Sequence, residues 1–363
     1  RDGVPIQSKP WPDPLPENLL LNESVGADYL NTDRLVEANK TIVISESVAA
    51  WLNATEEKSL WQPVDWKSPP PLRADIGIID NPYQAEQRLL TIDLSTDPVV
   101  LFGAAGRGKS TFLKTLLTAL AAARSPADLH IYAFDFGRGG LKAIKALPHL
   151  GASIDSSETA RVDQLMRMLR NIVNERQERL AKYASLADHN AKNPGNVFPE
   201  VVVVIDNFAE FKESYEHLIP ELMALIRDGR SFGIYFVITA GNSNDLTGKL
   251  YNLLTQRLTL TLADRTAYSE VVGSGVPNFD NVPGRGLVSL VVKDKPVPLE
   301  FQIAMPGIPG ELTDLDQPDP YQELAQRMER VWFGMGGKRP SAELPRSLTL
   351  LGMFSIIDGK PVN

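Results

Sequence analysis

The chain has no cysteine among its 363 residues. That excludes a disulfide framework, a zinc–thiolate centre and a cysteine nucleophile, and it accords with a reducing compartment. It has no apolar run near the roughly 18 residues a membrane-crossing helix needs, and no signal-peptide pattern. The first residue is Arg1 rather than methionine, so the chain reads as a fragment, with an upstream anchor left open. An excess of basic charge is absent too: 37 Lys and Arg stand against 45 Asp and Glu, a formal net charge of −8. A protein that tracks duplex DNA carries a basic stripe against the phosphates. Here the densest basic stretch, Arg161 to Lys182, also holds Asp163, Glu175 and Glu178, as a solvated helix face does. DNA is therefore not an expected partner. The histidines, His130, His149, His189 and His217, lack metal-ligand spacing; His130 and His149 are read as structural. What remains, 43% hydrophobic and 23% charged, is globular and long enough for one large domain or two ordinary ones.

Against these absences stands Gly103-Ala104-Ala105-Gly106-Arg107-Gly108-Lys109-Ser110, which fits the phosphate-loop pattern G-x-x-x-x-G-K-[ST] at every fixed position. The apolar run Val99-Val100-Leu101-Phe102 leads in, and Thr111 to Arg124 leads out with helical spacing. A strand, a glycine turn and a helix make a cradle whose N–H groups point at phosphate oxygens. Gly103, Gly106 and Gly108 allow a backbone that a β-carbon would obstruct. Lys109 is placed to reach the β- and γ-phosphates of ATP, and the Ser110 hydroxyl to ligate Mg²⁺. Each residue from Gly103 to Thr111 is a candidate for cofactor binding. A dinucleotide fingerprint is excluded, because Thr111 stands where its third glycine would be.

A phosphate loop needs a carboxylate on a neighbouring strand to hold the Mg²⁺ shell. Asp206 ends Val201-Val202-Val203-Val204-Ile205, a run apolar on both faces as a central parallel strand requires. Ser110 and Asp206 are thus the metal candidates; Lys109, Asp206, Asn207, Glu210 and Arg230 are the catalytic ones. Hydrolysis draws on a carboxylate, usually right after the metal aspartate, that orients or deprotonates water. Here that position is Asn207, whose amide can hydrogen-bond a water but cannot take its proton. Glu210, three residues on, would have to reach back. Slow or absent hydrolysis is the expectation. Arg230, ahead of a strand over 234–239, is a candidate arginine finger for a neighbour's γ-phosphate, with a surface ion pair as the alternative. Arg257 is a weaker one. Thr239 and Asn242 are either γ-phosphate sensors or turn residues.

Around these motifs the chain alternates strands and helices between residues 76 and 304, the mark of a parallel α/β sheet. Strands are predicted over 89–94, 99–102, 130–134, 201–205, 234–239, 257–262 and 286–292, and a long helix over 157–185 with a cap at Asp155-Ser156-Ser157-Glu158. Residues 1–72 differ: Pro5, Pro10, Pro12, Pro14, Pro16, Pro63, Pro69, Pro70 and Pro71 cluster there, with Trp11, Trp51, Trp61 and Trp66. Such a segment reads as a connector whose tryptophans bury against a neighbour, with a short strand over 42–44 and a short helix over 46–54. The expected division is 1–72 as connector, 73–305 as ATPase domain and 306–363 as a linker toward a following module. Leu15-Pro16-Glu17-Asn18-Leu19-Leu20-Leu21 recurs as Leu344-Pro345-Arg346-Ser347-Leu348-Thr349-Leu350, either an edge repeat of a tandem array or a coincidence of composition.

The loop 103–110 together with Asp206-Asn207-Phe208-Ala209-Glu210 resembles the FtsK/SpoIIIE-type translocase ATPases, and most closely the tandem ATPase modules of the type VII secretion protein EccC. Asp75-Ile76-Gly77-Ile78-Ile79-Asp80-Asn81-Pro82, Ile131-Tyr132-Ala133-Phe134-Asp135-Phe136-Gly137, Leu147-Pro148-His149-Leu150-Gly151, Gly229-Arg230-Ser231-Phe232-Gly233-Ile234 and Pro283-Gly284-Arg285-Gly286 match in order and spacing. The resemblance implies a RecA-like P-loop fold with ATP and Mg²⁺ at the C-terminal edge of the strands. It also implies assembly with other ATPase modules of the same or neighbouring chains, and protein export. It places the arginine finger at Arg230. It implies small secreted helical proteins as substrates, and a cytoplasmic position beneath a membrane reached only through segments outside this sequence. Two residues depart from the active pattern: Asn207 stands for the catalytic acid, and Gly241 where DNA translocases carry glutamine. A DNA translocase motor is the alternative function.

Overall fold

The computed structural model describes residues 12–26, 30–31, 41–68, 71–307 and 319–341. Three short strands and a helix come first: β1 (Ser24–Gly26), β2 (Leu30–Asn31), β3 (Thr41–Val43) and α1 (Glu46–Asn53). A hairpin, β4 (Arg73–Asn81) and β5 (Glu86–Asp93), precedes β6 (Val99–Phe102) and α2 (Lys109–Ala123). Then follow β7 (Leu129–Asp135), β8 (Leu150–Ile154), α3 (Thr159–Leu180), α4 (Leu186–Lys192) and β9 (Glu200–Asp206). The chain continues through α5 (Phe208–Ser214), α6 (Ile219–Asp228), β10 (Ile234–Ala240), α7 (Gly248–Leu253), β11 (Gln256–Leu260) and α8 (Tyr268–Val272). A second hairpin, β12 (Arg285–Val292) and β13 (Lys295–Ile303), and the helix α9 (Pro320–Gly334) close it.

Eleven strands form one sheet in the order β2-β5-β4-β13-β12-β11-β6-β10-β9-β7-β8. From β11 to β8 every neighbour is parallel; the two hairpins add an antiparallel wing. β9 is buried along its whole length, which is why its sequence is a valine run rather than an alternation. Helices cover both faces. α2 and α9 pack with Leu101, Ile131, Ala133, Val202 and Val204 on one side. α3, α5 and α6 pack with Phe102, Phe134, Val203, Ile205 and Ile238 on the other. The expected mostly parallel, RecA-like sheet is present, and no helix among the described residues is long and apolar enough to cross a membrane.

The long helix starts two residues later than its sequence pattern indicates. Asp155 spends its carboxylate on the Ser157 N–H, 2.9 Å, in a turn outside the helix, and Glu158 at the N-cap makes no side-chain cap bond. Its C-terminal end comes earlier too, at Leu180. β8 and β13 fall outside the predicted strands, β4 lies in the stretch before the first of them, and α9 lies in the expected linker. Yet Tyr321, Leu324, Ala325, Met328 and Val331 are its buried residues, at the spacing of one helical face.

The flanking segments are fastened to α2. The indole N–H groups of Trp51 and Trp61 donate to the carbonyls of Ala122 (3.1 Å) and Ala121 (2.7 Å). The hydroxyls of Thr115 and Tyr321 meet at 2.7 Å. Leu19 and Leu21 are buried, and the Leu21 N–H donates to the carbonyl of Met305 at 2.8 Å. Trp11, Pro5, Pro10, Pro69, Pro70 and the second copy of the leucine-proline repeat lie outside the described residues.

His149 sits under these tryptophans, its ring edge-on to Trp61 with centroids 5.6 Å apart. Its Nε2 lies 2.6 Å from the Arg124 carbonyl, and burial pushes its pKa down to about 3 from 6.5. A histidine whose folded pKa lies below its unfolded value stabilises the fold fully above the unfolded value, and this contribution is lost as pH falls toward the folded one. Between about pH 7 and pH 5 the wild type should lose about 2 kcal/mol more unfolding free energy than His149→Gln. Urea unfolding of both proteins at the two pH values checks this; equal losses would remove His149 from the acid sensitivity.

Candidate nucleotide site

β6 ends at Phe102, paired with Ala240 of β10 on one side and Thr259 of β11 on the other. The chain then leaves the sheet but stays tied to both neighbours. The Gly103 N–H donates to the Ala240 carbonyl at 3.1 Å, and the Ala104 N–H to the Thr261 carbonyl at 2.9 Å. The loop turns through left-handed glycines, φ 75° at Gly106 and 102° at Gly108, a region costly for residues with a β-carbon. The Gly108 carbonyl accepts the first helical bond, from the Phe112 N–H at 2.8 Å. The free N–H groups and positive dipole end of α2 are thereby set at the open edge of the sheet, the arrangement that receives an anion.

Lys109 opens α2 and its ammonium donates to the carbonyls of Gly103 (2.6 Å) and Ala104 (3.1 Å). Burial pushes its pKa below the ordinary lysine value, while Asp206 and Asp245 pull it back up. Ser110, one residue on, donates its hydroxyl to Asp206 Oδ2 at 2.7 Å. The other oxygen of Asp206 accepts from the Thr239 hydroxyl at 2.6 Å. Serine hydroxyl and aspartate carboxylate are hard oxygen donors of the kind Mg²⁺ takes. No group of three or more His, Cys, Asp or Glu side chains among the described residues could hold a metal unaided. A Mg²⁺ that keeps waters and takes phosphate oxygens needs no such group, so the residues present fit it, with Ser110 and Asp206 as its holders.

The structure sorts the remaining candidates. Asn207 lies just past Asp206 with φ 68°, a left-handed conformation asparagine tolerates better than most residues. Its N–H donates to the Thr239 hydroxyl at 2.9 Å and its side-chain amide to the Phe136 carbonyl at 3.3 Å. Thr239, read from sequence as sensor or turn residue, thus bridges Asp206 and Asn207. Asn242 is a turn residue: its side chain caps the 3-10 turn Ser243–Asp245. Glu210 lies in the first turn of α5, and its carboxylate accepts from Ser214 of the same helix at 3.2 Å. Arg257 closes α7, donating to the carbonyls of Leu254 and Tyr251 at 2.8 and 2.9 Å.

Arg230 stands apart. It lies in the 3-10 turn Gly229–Phe232 just before β10, and its guanidinium donates to the Thr96 carbonyl, ahead of β6. β6 and β10 run parallel, so Arg230 is at the opposite edge of the sheet from the phosphate loop of its own chain. The surface ion pair considered as its alternative is replaced by this carbonyl contact.

Sequence reading missed Asp135, although the chain shows the same device twice: an apolar strand ending in aspartate. Asp135 closes β7 directly opposite Asp206 in the register. Burial raises its carboxyl pKa above the ordinary value, the Leu141 N–H opposes this, and Asp206 adds to it. A cleft of about 240 Å³, also not foreseen, opens beside the loop past Thr261. Leu262, Tyr268, Pro277, Asn278 and Phe279 line it, and the rings of Tyr268 and Phe279 meet edge to face at 5.5 Å.

A parallel sheet that sets a glycine cradle, a helix N-terminus, a lysine and a serine–aspartate pair on one edge defines a RecA-like P-loop ATPase fold. Within that class the chain belongs to the FtsK/SpoIIIE family, whose sequence profile matches residues 61–274. It is 28% identical over 278 residues to the ESX secretion system protein EccC of Geobacillus thermodenitrificans, an alignment covering 76% of this chain and 18% of that protein. It is 32% identical over 227 residues to the ESX-4 secretion system protein EccC4 of Mycobacterium tuberculosis, covering 60% of this chain and 18% of that one. Among solved structures it is similar to EssC ATPases 2 and 3 from G. thermodenitrificans, with TM-score 0.65 and 25% identity over 84% of this chain and 56% of that one. It is also similar to Thermomonospora curvata EccC ATPases 2 and 3 in complex with a signal sequence peptide, with TM-score 0.65 and 25% identity over 76% of this chain and 50% of that one. The chain spans 18% of the length of each of these two curated relatives.

Proposed function

We propose that this chain is an ATPase module of a type VII secretion translocase that binds Mg·ATP tightly, hydrolyses it slowly or not at all, and couples binding to assembly or to substrate recognition. The observation that carries the hydrolytic part is Asn207: an amide held to the Phe136 carbonyl, not a carboxylate, follows the metal holder. Lys109 and the N–H groups of residues 105–111 hold the phosphates, those of Gly103 and Ala104 being taken by the Ala240 and Thr261 carbonyls; Ser110 and Asp206 hold the metal, and the cleft beside Thr261 takes the base against Tyr268 and Phe279. Bound Mg²⁺ supplies charge neutralisation at the β- and γ-phosphates. The division into connector (1–72), ATPase domain (73–305) and linker (306–363) is part of the same reading, as is a place beneath the membrane set by segments outside this sequence. The tandem ATPases of the relatives support other ATPase modules as partners, and the signal peptide bound by the T. curvata protein supports secreted helical proteins as substrates.

The test is ATP affinity and turnover measured together. Tight Mg·ATP binding with turnover far below the median enzyme rate of about 10 s⁻¹ is expected; turnover near that rate would overturn the slow-hydrolysis part. Tight DNA binding with a steep salt dependence in a gel shift would move the reading to a DNA translocase.

Arg230, at the far edge of the sheet, serves a neighbouring module's phosphates rather than its own. Arg230→Ala should weaken ATP-dependent association of modules about tenfold, some 1.4 kcal/mol, and leave the ATP affinity of the isolated chain unchanged. Sedimentation with and without ATP reads the first, and calorimetry the second.

A further inference from the structure

The alternation of the strands sets Thr239, Asp206 and Asp135 in one row. Ala133, Val204 and Val237 pack into the core beneath α2, so the residues two positions on, Asp135, Asp206 and Thr239, share that face. It is the face that carries Ser110. Asp135 and Asp206 are direct register partners at the ends of adjacent parallel strands. Two buried carboxylates side by side on the helix face repel each other unless something positive sits between or above them.

The loop after β7 closes over this pair. A β-carbon built on Gly137 would lie 2.3 Å from Asp206 Oδ2, and one on Gly140 would lie 2.5 Å from Ser110 Oγ. At both glycines the loop backbone lies directly against the metal holders, leaving no room for a side chain there. Asp135 is 3% exposed. Its Oδ2 accepts from the Leu141 N–H at 3.4 Å, while its Oδ1 is buried with no protein donor. A buried carboxylate oxygen without a partner costs several kcal/mol of lost hydration. Lys145, whose charge also reaches this carboxyl, is exposed and leaves the oxygen unfilled.

We propose that Asp135 is the second acidic anchor of the Mg²⁺ site: its Oδ1 accepts a hydrogen bond from a metal-bound water, while Asp206 and Ser110 hold the ion itself. This rests on the nucleotide-site reading above. Asp135 is a positioning residue in this role, and it answers the question that Asp206 alone leaves: one carboxylate, already bonded to two hydroxyls, faces a doubly charged ion.

The test separates metal from nucleotide. Binding of a fluorescent ATP analogue is titrated with Mg²⁺ in wild type and in Asp135→Asn, and again in EDTA. Asparagine is isosteric and keeps an oxygen for the Leu141 N–H; if it is not tolerated, Asp135→Ser repeats the measurement. The Mg²⁺ concentration for half-maximal enhancement should rise about tenfold or more, as for other groups that hold a metal through an intermediate, with affinity in EDTA unchanged. Mn²⁺ followed by electron paramagnetic resonance should show the same shift. An unchanged Mg²⁺ midpoint overturns the assignment alone, and so does an equal loss of affinity with and without metal. A wild type that binds no nucleotide overturns the site reading, and the assignment with it.

Discussion

Lys109→Ala should cost about two orders of magnitude in ATP affinity while leaving the nucleotide-free fold standing. The lysine puts a positive charge at the half-buried base of the cradle, where losing a charge-assisted contact to a phosphate is worth about 3 kcal/mol. Its bonds to the Gly103 and Ala104 carbonyls are local, so their loss should change intrinsic stability by about 1 kcal/mol. Thermal denaturation shows both effects. With ATP at about 100 times the wild-type Kd, bound nucleotide stabilises the wild type by about 2.7 kcal/mol and the variant by about 0.4, so the ATP-induced rise in Tm should fall from about 3–4 °C to under about 1 °C. An equal rise in both proteins would mean that the ligand sits elsewhere and that the loop 103–110 is only a turn.

How much of this was open to reading in advance depends on the range of the physics. The phosphate loop is local: consecutive residues carry its backbone, charge and metal hydroxyl, and the helix follows from Lys109 on. Asp206 was legible because a valine run that must be buried on both faces ends in a charge. Asp135 ends a strand in the same way, but that strand, Leu129–Asp135, has a histidine as its second residue and holds a tyrosine, so the matching aspartate gave no such contrast. What makes Asp135 matter is the pairing of β7 with β9, a contact across some seventy residues of chain that no spacing rule shows. Thr239 was left between two roles for the same reason; its bond to Asp206 exists only because β10 lies beside β9. The antiparallel wing was partly missed because β4 and β13 carry polar residues among their first and last positions and, among the described residues, pair with each other and with β5 and β12. Arg230 was legible as an arginine before a strand. Which edge of the sheet it occupies, and hence that it cannot serve its own phosphates, needed the parallel register of β6 and β10.

Asn207→Glu should raise ATP turnover about a hundredfold, at a cost in stability. A positioned general base contributes about 10² to 10⁴ in rate, and the lower end is expected because the position resists the change. The backbone there has φ 68°, where a longer side chain is strained by about 1–2 kcal/mol. Glutamate also gives up the amide's donation to the Phe136 carbonyl, worth about 1 kcal/mol. The variant should therefore unfold at about 2–3 kcal/mol less free energy while hydrolysing faster, a pairing that a merely structural asparagine would not produce. Phosphate release under saturating Mg·ATP reads the rate, and urea unfolding reads the cost. If turnover stays at the wild-type level in a variant that folds and still binds ATP, the missing proton acceptor is not what holds hydrolysis back. The block would then lie in the absence of a neighbour's Arg230. The two causes separate cleanly, since the arginine contribution rises with protein concentration as modules associate, and the contribution of a base beside Asp206 does not.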